Sequence, residues 1–156
     1  MQKKIIGWAW RRMPSWTRRF LVRVTQPSFT VSAGAVVFDS EGRVLLLNHV
    51  LRPASGWGVP GGFLQRGEQP TDALKRELLE ETGLEIENMQ FVMARTTYRH
   101  IEIIYRCTAR NSGEAAARSS EIIEARWFML DELPEEMERR QRRLIIRARD
   151  TVGEKR

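Results

Sequence analysis

Three glutamates at helical spacing are the residues of this sequence with the most distinctive chemistry. Glu80 and Glu81 follow Glu77 by three and four positions, so a helix turning about 100° per residue brings all three onto one arc. Like charges at this spacing destabilise a helix. A divalent cation such as Mg²⁺ removes the repulsion because it prefers carboxylate oxygens as ligands. The spacing alone leaves two interpretations open, a metal site and a solvated acidic face.

The sequence surrounding these glutamates favours the metal site. Residues 62–84 read GFLQRGEQPTDALKRELLEETGL, a segment that resembles the Nudix box. That pattern is Gly, five residues, Glu, seven residues, Arg-Glu, an aliphatic residue, any residue, Glu-Glu, any residue, Gly and an aliphatic residue. Every specified position is matched, by Gly62, Glu68, Arg76, Glu77, Leu78, Glu80, Glu81, Gly83 and Leu84. The order of the flanking elements extends the resemblance over roughly residues 29–150.

The resemblance implies both a fold and a chemistry. The fold class is α/β, with the Nudix α/β/α sandwich around a central mixed β-sheet. The activity is hydrolysis of a diphosphate linkage, with Mg²⁺ or Mn²⁺ as cofactor. Glu80 and Glu81 match the main metal ligands of the family, and Glu77 matches a position that serves as ligand or base. Gly61 matches a position whose backbone carbonyl joins the metal, whereas Glu68 and Arg76 match supporting positions.

A further acidic residue is expected outside the box. In the family it comes from a loop across the cleft, shortly before a strand that holds an aromatic pair. Here that pair is Trp127-Phe128, and the acids before it are Glu121 and Glu124. Glu121 follows a small polar stretch and is free to approach the metals, whereas Glu124 stands where the strand begins. We therefore predict Glu121 as the catalytic base or a further ligand, together with Glu77. The alternative is that Glu121 and Glu124 are both solvated charges.

Four residues outside the helix are candidates for substrate binding. Arg52 and Arg99 are predicted to contact phosphate, although a surface position is the alternative for each. Trp57 and Phe63 flank the Gly-rich segment that precedes the box, so their rings are predicted to contact a nucleotide base. Packing in the core is the alternative for both rings.

The elements that position these residues follow from composition and periodicity. Pro70 suits the first position of a helix and Gly83 the position just past its end. Strands are predicted at residues 29–39, 44–50, 89–97, 101–110 and 125–130, and a closing helix at residues 135–150. Residues 51–62 are rich in Gly and Pro and are predicted as loop. The polar stretch at residues 111–120 is predicted to be a mobile loop.

The ends of the chain differ from its middle in charge. Residues 1–28 contain seven Lys or Arg and no acid, whereas the whole 156-residue chain has a net charge of +6. We predict two regions, a basic Trp-rich helical extension at residues 1–28 and a hydrolase domain at residues 29–156. Pro14 should split the extension into two helices, with Ser15 as a cap. Its apolar residues are expected to pack on the domain or on a second subunit, which makes a homodimer possible. Binding to a membrane surface or to RNA is the alternative.

The substrate is not determined by these residues. A small-molecule nucleotide, either ADP-ribose or a nucleoside triphosphate, is the leading candidate. An RNA 5′-end pyrophosphohydrolase and a non-catalytic Nudix-like nucleotide-binding module are the alternatives, and the three intact glutamates argue against the second. The mildly acidic middle of the chain makes nucleic acid the less favoured partner. One cysteine and no apolar run of about 20 residues lead us to expect a cytoplasmic protein without a transmembrane segment.

Overall fold

A computed structural model describes residues 2–52, 55–110 and 115–151, which form two compact units that meet in sequence at Thr30 and Val31. The unit at the N-terminus consists of helices α1, Gln2–Arg12, and α2, Ser15–Thr25. Pro14 separates them as predicted, because a proline cannot donate the backbone hydrogen bond that a continuous helix needs. The predicted cap at Ser15 is wrong, since Pro14 holds the N-cap position and no side chain caps the helix. No helix in the described residues is long and apolar enough to cross a membrane.

The second unit contains one mixed β-sheet, as the resemblance implied. In the described residues it has seven strands, in the order β3-β2-β1-β6-β5, with β4 paired to β1 and β7 paired to β2. The strands are β1 Thr30–Phe38, β2 Val44–His49, β3 Trp57–Gly58, β4 Gly61–Phe63, β5 Ile86–Thr97, β6 His100–Ala109 and β7 Ile122–Phe128.

The Gly- and Pro-rich segment predicted as loop contains two of these strands. β3 pairs with β2 through Asn48 and Trp57, and β4 pairs with β1 through Gly34 and Gly61. Short strands of this composition lack the alternation of apolar residues that marks a strand in sequence. They are extended here because neighbouring strands supply their hydrogen-bond partners.

Alternate residues of the central strands face opposite layers of core. Ala35 and Val37 of β1 belong to one apolar cluster, whereas Val36 and Phe38 belong to the other. The first cluster also contains Leu74 and Leu78 of α3, Pro70–Thr82, and the second contains Leu144, Ile145 and Ala148 of α4, Arg139–Asp150. The two helices therefore cover opposite faces of the sheet, which is the predicted three-layer arrangement.

The closing helix begins later than predicted. Residues 134–138 form turns, in which the N–H of Met137 donates to the carbonyl of Pro134 at 3.0 Å. Leu133 and Met137 are buried in the core, so residues 135–138, which were predicted as the start of the helix, belong to a packed turn. Helix α4 then runs from Arg139 to Asp150.

The outer strand β5 is irregular where it pairs with β6. Its register shifts twice, between Glu87 and Gln90 and between Phe91 and Met93. Asn88 has a positive φ of 51°, which is uncommon for a residue other than glycine. These irregularities bend an edge of the sheet that would otherwise be straight.

Candidate active site

Helix α3 holds the three glutamates on the sheet. It begins at Pro70, and Gly83 ends it in the left-handed conformation with φ 72°. Ala73, Leu74 and Leu78 bury one face of the helix, which fixes its rotation about its own axis. Glu81 lies next to this buried face and Glu80 points to solvent, so the three carboxylates are not equally exposed.

Glycines in β4 allow the carboxylates to approach the backbone closely. A Cβ atom on Gly62 would lie 2.2 Å from the carboxylate carbon of Glu77, so no other residue fits without moving that side chain. A Cβ atom on Gly61 would lie 2.3 Å from the carbonyl oxygen of Ala33, and Gly61 has a φ of 152° that other residues rarely adopt. Gly62 therefore lies directly against Glu77 and Gly61 against the backbone of Ala33, and we call these two glycines of β4 the glycine floor.

Arg76 orients two of the carboxylates. Its Nε and Nη2 donate to Glu68 at 2.9 and 3.0 Å, and its Nη1 donates to Glu77 at 2.7 Å. Its contact with Glu80 is weaker, at 3.5 Å. The hydrogen bond from Arg76 lowers the pKa of Glu68, and the carboxylates in turn raise the pKa of Arg76. This network connects the loop before α3 to the helix itself.

Glu81 is the buried carboxylate of the group. Its side chain has an oxygen, Oε2, that is buried and has no hydrogen-bond partner among the described residues. Burial, followed by the charges of Glu77 and Glu121, raises its pKa to about 7, while Arg52 acts in the opposite direction. An unpartnered carboxylate with like charges around it is costly unless a cation or a proton compensates.

The chemistry of these side chains fits a divalent cation, although their present positions do not enclose one. Among the described residues no three acidic, histidine or cysteine side chains lie close enough together to hold a metal ion. The donors are oxygens, as Mg²⁺ and Mn²⁺ prefer, and the buried oxygen of Glu81 lacks a partner that a cation would supply. Glu77, Glu80, Glu81 and the carbonyl of Gly61 remain the predicted ligands.

The loop before β7 is attached to the end of α3. The N–H of Arg118 donates to the carbonyl of Glu81 at 2.8 Å, and the guanidinium of Arg118 covers the backbone of Gly83. This loop leads to Glu121, which is exposed and close enough to Glu81 to raise its pKa. Of the polar stretch predicted to be mobile, residues 111–114 lie outside the described residues, while residues 115–120 are in this loop.

Glu124, the alternative to Glu121, has a different environment. It lies on β7 opposite Asn48 of β2, and its carboxylate is paired with Arg126. The guanidinium of Arg126 in turn lies 5.9 Å from the centre of the Trp57 ring. Glu124 is therefore engaged in an ion pair, whereas Glu121 belongs to the loop that is hydrogen-bonded to the backbone of Glu81.

A cavity of about 170 Å³ opens beside the glycine floor. We call it the central cavity, and its lining includes Arg52, Gly61, Gly62, Phe63, Glu102 and Gln141. Arg52 lies against Gly58, and its Nη2 donates to the carbonyl of Val59 at 3.4 Å. Its Nη1 is buried without a partner among the described residues. Burial lowers the pKa of Arg52, which nonetheless remains a cation because arginine titrates far above neutrality.

The structure separates the predicted substrate-binding residues. Phe63 lines the central cavity with 63% of its surface exposed, and its ring meets that of His100 edge to face at 5.5 Å. The prediction for Trp57 is wrong, because its ring is buried in the core against Phe128 at 5.1 Å. Arg99 is exposed in the turn between β5 and β6 and does not line the cavity. Its contact with phosphate stays a prediction.

Two residues of the central cavity were missed in the sequence. Glu102 lies on β6 two positions before the buried Ile104, and Gln141 precedes the buried Leu144 of α4 by three positions. The spacing of two in a strand and of three in a helix places each polar side chain on the same face as a buried residue. The periodicity of the sequence could therefore have predicted both positions. Glu102 is paired with Arg95, whereas Oε1 of Gln141 is buried without a partner in the described part of the chain.

Comparisons with known proteins agree with this arrangement. The model of the NUDIX domain matches residues 28–148, and the chain belongs to the Nudix family. The prediction of a Nudix hydrolase is confirmed at this level.

Individual proteins extend the comparison. A MutT-like protein of Streptomyces ambofaciens is 34% identical over 114 residues, which are 71% of each chain. The NAD-capped RNA hydrolase NudC of Salmonella paratyphi C is 31% identical over 64% of this chain, and the match spans 39% of that longer protein. The crystal structure of a Nudix hydrolase family member from Chromobacterium violaceum superposes with a TM-score of 0.64 at 26% identity, covering 84% of this chain and 83% of the other.

Proposed function

We propose that this protein hydrolyses the diphosphate linkage of a nucleoside diphosphate joined to another moiety, with ADP-ribose and nucleoside triphosphates as candidate substrates. The observation that carries the proposal is the contact of Glu77 with the glycine floor beside a cavity lined by Arg52, whose buried Nη1 has no hydrogen-bond partner among the described residues. Glu77 contacts Gly62, which lines this cavity, and Glu81 is close enough to Arg52 for the charge of each to shift the pKa of the other. A diphosphate bound through metal ions needs both carboxylates and a cationic group.

The size of the central cavity suits part of such a substrate. At about 170 Å³ it is smaller than the roughly 300–1,000 Å³ of pockets that enclose a drug-sized ligand. A diphosphate fits inside, so the nucleoside has to extend outward, where the exposed ring of Phe63 offers a surface for stacking. Arg52 would hold a phosphate oxygen through its free Nη1.

The reaction requires a water molecule to attack phosphorus while the bridging P–O bond breaks, which gives two phosphate products. Glu77, Glu80, Glu81 and the carbonyl of Gly61 would hold Mg²⁺ or Mn²⁺, which when bound would neutralise phosphate charge and lower the pKa of water. Glu121 accepts the proton of the attacking water as general base. Its attachment through Arg118 to the end of α3 keeps it beside Glu81.

A panel of nucleotides tests the proposal. The full chain is incubated with ADP-ribose and with nucleoside triphosphates in Mg²⁺, in Mn²⁺ or in EDTA, and the products are quantified. We expect turnover with metal and none in EDTA. Arg52→Gln should raise KM by about tenfold, since it removes a charged contact to phosphate, whereas Arg126→Gln should not. Undiminished turnover in EDTA, or none on any diphosphate with metal, would refute the proposal.

A second candidate, hydrolysis at the 5′ end of RNA, is favoured by a basic groove. The groove has a volume of about 540 Å³ and is lined by Arg95, Arg139, Arg140, Arg143 and Arg147, with Met93 and Leu144. Among the described residues no carboxylate pairs with the four arginines of α4 that line it. The groove neighbours the central cavity, because Arg95 is paired with Glu102 of that cavity. An RNA chain leaving the cavity would find cations for its phosphates here.

Salt dependence separates the two candidates. If the substrate is RNA, kcat/KM for a 5′-triphosphate RNA should fall steeply with salt, while that for the free nucleotide should fall little. The double variant Arg140→Gln/Arg143→Gln should reduce the slope of log kcat/KM for RNA against log salt concentration by about two and leave nucleotide turnover unchanged. Arg149→Gln is the matched control, since Arg149 is paired with Asp150 outside the groove. Equal slopes for RNA and nucleotide would exclude the RNA function.

A further inference from the structure

The N-terminal helices expose an apolar surface that the hydrolase chemistry does not use. In α2 the side chains of Trp16, Phe20 and Val24 are 68%, 60% and 62% exposed, and none of the residues of this helix is buried. They stand at successive intervals of four, so they form a single stripe along the helix. In α1 a second exposed group consists of Ile5, Ile6, Trp8 and Trp10.

Positive charge accompanies these apolar residues. Residues 1–28 contain seven Lys or Arg and no Asp or Glu. In α2, Arg19 and Arg23 stand at an interval of four beside the stripe, on the opposite side from Leu21. In α1, the guanidinium of Arg12 lies 4.7 Å from the centre of the Trp8 ring, which keeps a cation at the edge of the apolar group.

This combination distinguishes between possible partners. A second copy of the same surface would bring together two segments that each carry seven positive charges and no negative one. Single-stranded RNA would stack on the aromatic rings, but exposed aliphatic residues such as Ile5, Ile6 and Val24 offer bases no π-face. Lipid chains accept aliphatic and aromatic groups alike, and anionic headgroups pair with the arginines.

We propose that α1 and α2 dock on an anionic phospholipid surface and lie in the plane of its headgroups. Each helix has 11 residues and is therefore about 16 Å long, which is too short to cross the hydrocarbon layer. Helices with Trp and Phe on one face and Arg or Lys on the other bind in this orientation. The indole rings would settle at the boundary between headgroups and acyl chains.

Vesicle sedimentation tests the docking with the full chain. The probes are vesicles of phosphatidylcholine alone and vesicles that contain about 30% phosphatidylglycerol, in low salt and in about 0.5 M salt. We expect binding to the anionic vesicles in low salt, and at least about tenfold weaker binding to the neutral ones. Equal binding to both vesicles, or binding to neither, would overturn the proposal.

Paired variants show whether the stripe is responsible. Trp16→Gln/Phe20→Gln should lower the partition coefficient on anionic vesicles by at least about tenfold and leave nucleotide hydrolysis unchanged. Phe91→Gln is the matched control, because Phe91 is 59% exposed on β5 and lies outside the helices. Retained binding by the double variant would overturn the proposal. The proposal would also be overturned if the double variant changed in oligomeric state or in RNA affinity while its lipid binding stayed the same.

Discussion

Helices α3 and α4 pack on opposite faces of one sheet, yet they expose opposite charges. Each buries an apolar stripe, with Leu74 and Leu78 in α3 and Leu144 and Ile145 in α4. Helix α3 carries the glutamates of the candidate active site, of which Glu80 is exposed and Glu81 is buried, whereas α4 carries six arginines and a single acid, Asp150.

The difference shows that packing and chemistry are set by separate residues of each helix. A stripe of similar size holds both helices against the sheet, so the exposed residues are free to vary with function. In α3 the like charges destabilise the helix unless a bound cation neutralises them. The arginines of α4 lie on the other side of the sheet, where four of them line the basic groove.

The largest expected effect is on the acidic helix. Glu81→Gln should lower kcat by ~10² or more, because it removes charge from the predicted metal site while conserving side-chain shape. Circular dichroism should show an unchanged fold, since Gln and Glu have similar helix propensities. Glu85→Gln is the control, as Glu85 follows the same helix but is exposed. If Glu81→Gln had the same steady-state kinetics as the control, Glu81 would not belong to the active site.

The loop attached to α3 provides the next comparison. Glu121→Gln should lower kcat by about 10² with little change in stability, because the group acts in the transition state. Glu124→Gln should be milder, since Glu124 is paired with Arg126. Steady-state kinetics on both variants decides between them. The reverse order would make Glu124 the base, and two active variants would leave Glu77 as the first candidate.

Equal packing of the two helices can be tested through stability. Leu78→Ala and Leu144→Ala should each reduce the free energy of unfolding by about 2–5 kcal/mol, because both side chains are buried in a core layer. Urea denaturation provides the measurement. The folded fraction of the Leu78 variant should also lose activity, since that residue sets the rotation of α3. If the Leu144 variant lost as much activity per folded molecule, the functional distinction between the helices would fail.

The smallest expected effect is on the stability of the fold at acidic pH. The arginines of α4 do not contribute to it, because arginine stays protonated throughout this pH range. His49, at the end of β2, is partly buried, and burial followed by the charge of Arg52 lowers its pKa from 6.5 to about 4. The unfolded chain takes up this proton first, so stability present above pH 6.5 falls as the pH decreases towards 4. His49→Gln should lessen this loss by about 1–2 kcal/mol, a discounted value because water reaches part of the ring. Denaturation curves are measured at pH 6.5 and at pH 4 for the wild type and for His49→Gln. An equal loss of stability in the two proteins between these pH values would contradict the prediction.

Local signals in the sequence accounted for α3 and for the longer strands. Pro70 and Gly83 marked the ends of α3 because their backbone restrictions act at the residue itself. Strand β1 was predicted within one residue at each end, since the segment is rich in Val, Ala and Phe. The regions predicted less well, β3, β4 and the start of α4, depend on pairing and packing with distant parts of the chain.

The candidate site was predictable where a single helix supplies its residues and less so elsewhere. Trp57 was assigned to the substrate because it borders a Gly-rich segment, but contact with Phe128 buries it. That contact joins residues far apart in sequence, which periodicity cannot reveal. Glu102 and Gln141 were missed for a different reason: their spacing from Ile104 and Leu144 predicts inward positions, but a polar side chain there carries no motif that indicates a site.

The irregular edge at β5 has a consequence for how the protein behaves at high concentration. A straight outer strand offers unpaired N–H and C=O groups to the same strand of another molecule, and such pairing begins ordered aggregation. The two register shifts and the positive φ of Asn88 interrupt that row of groups, and the exposed Glu87 adds a charge that an incoming strand would have to accommodate. The edge is thereby kept unsuitable as a template for strand addition.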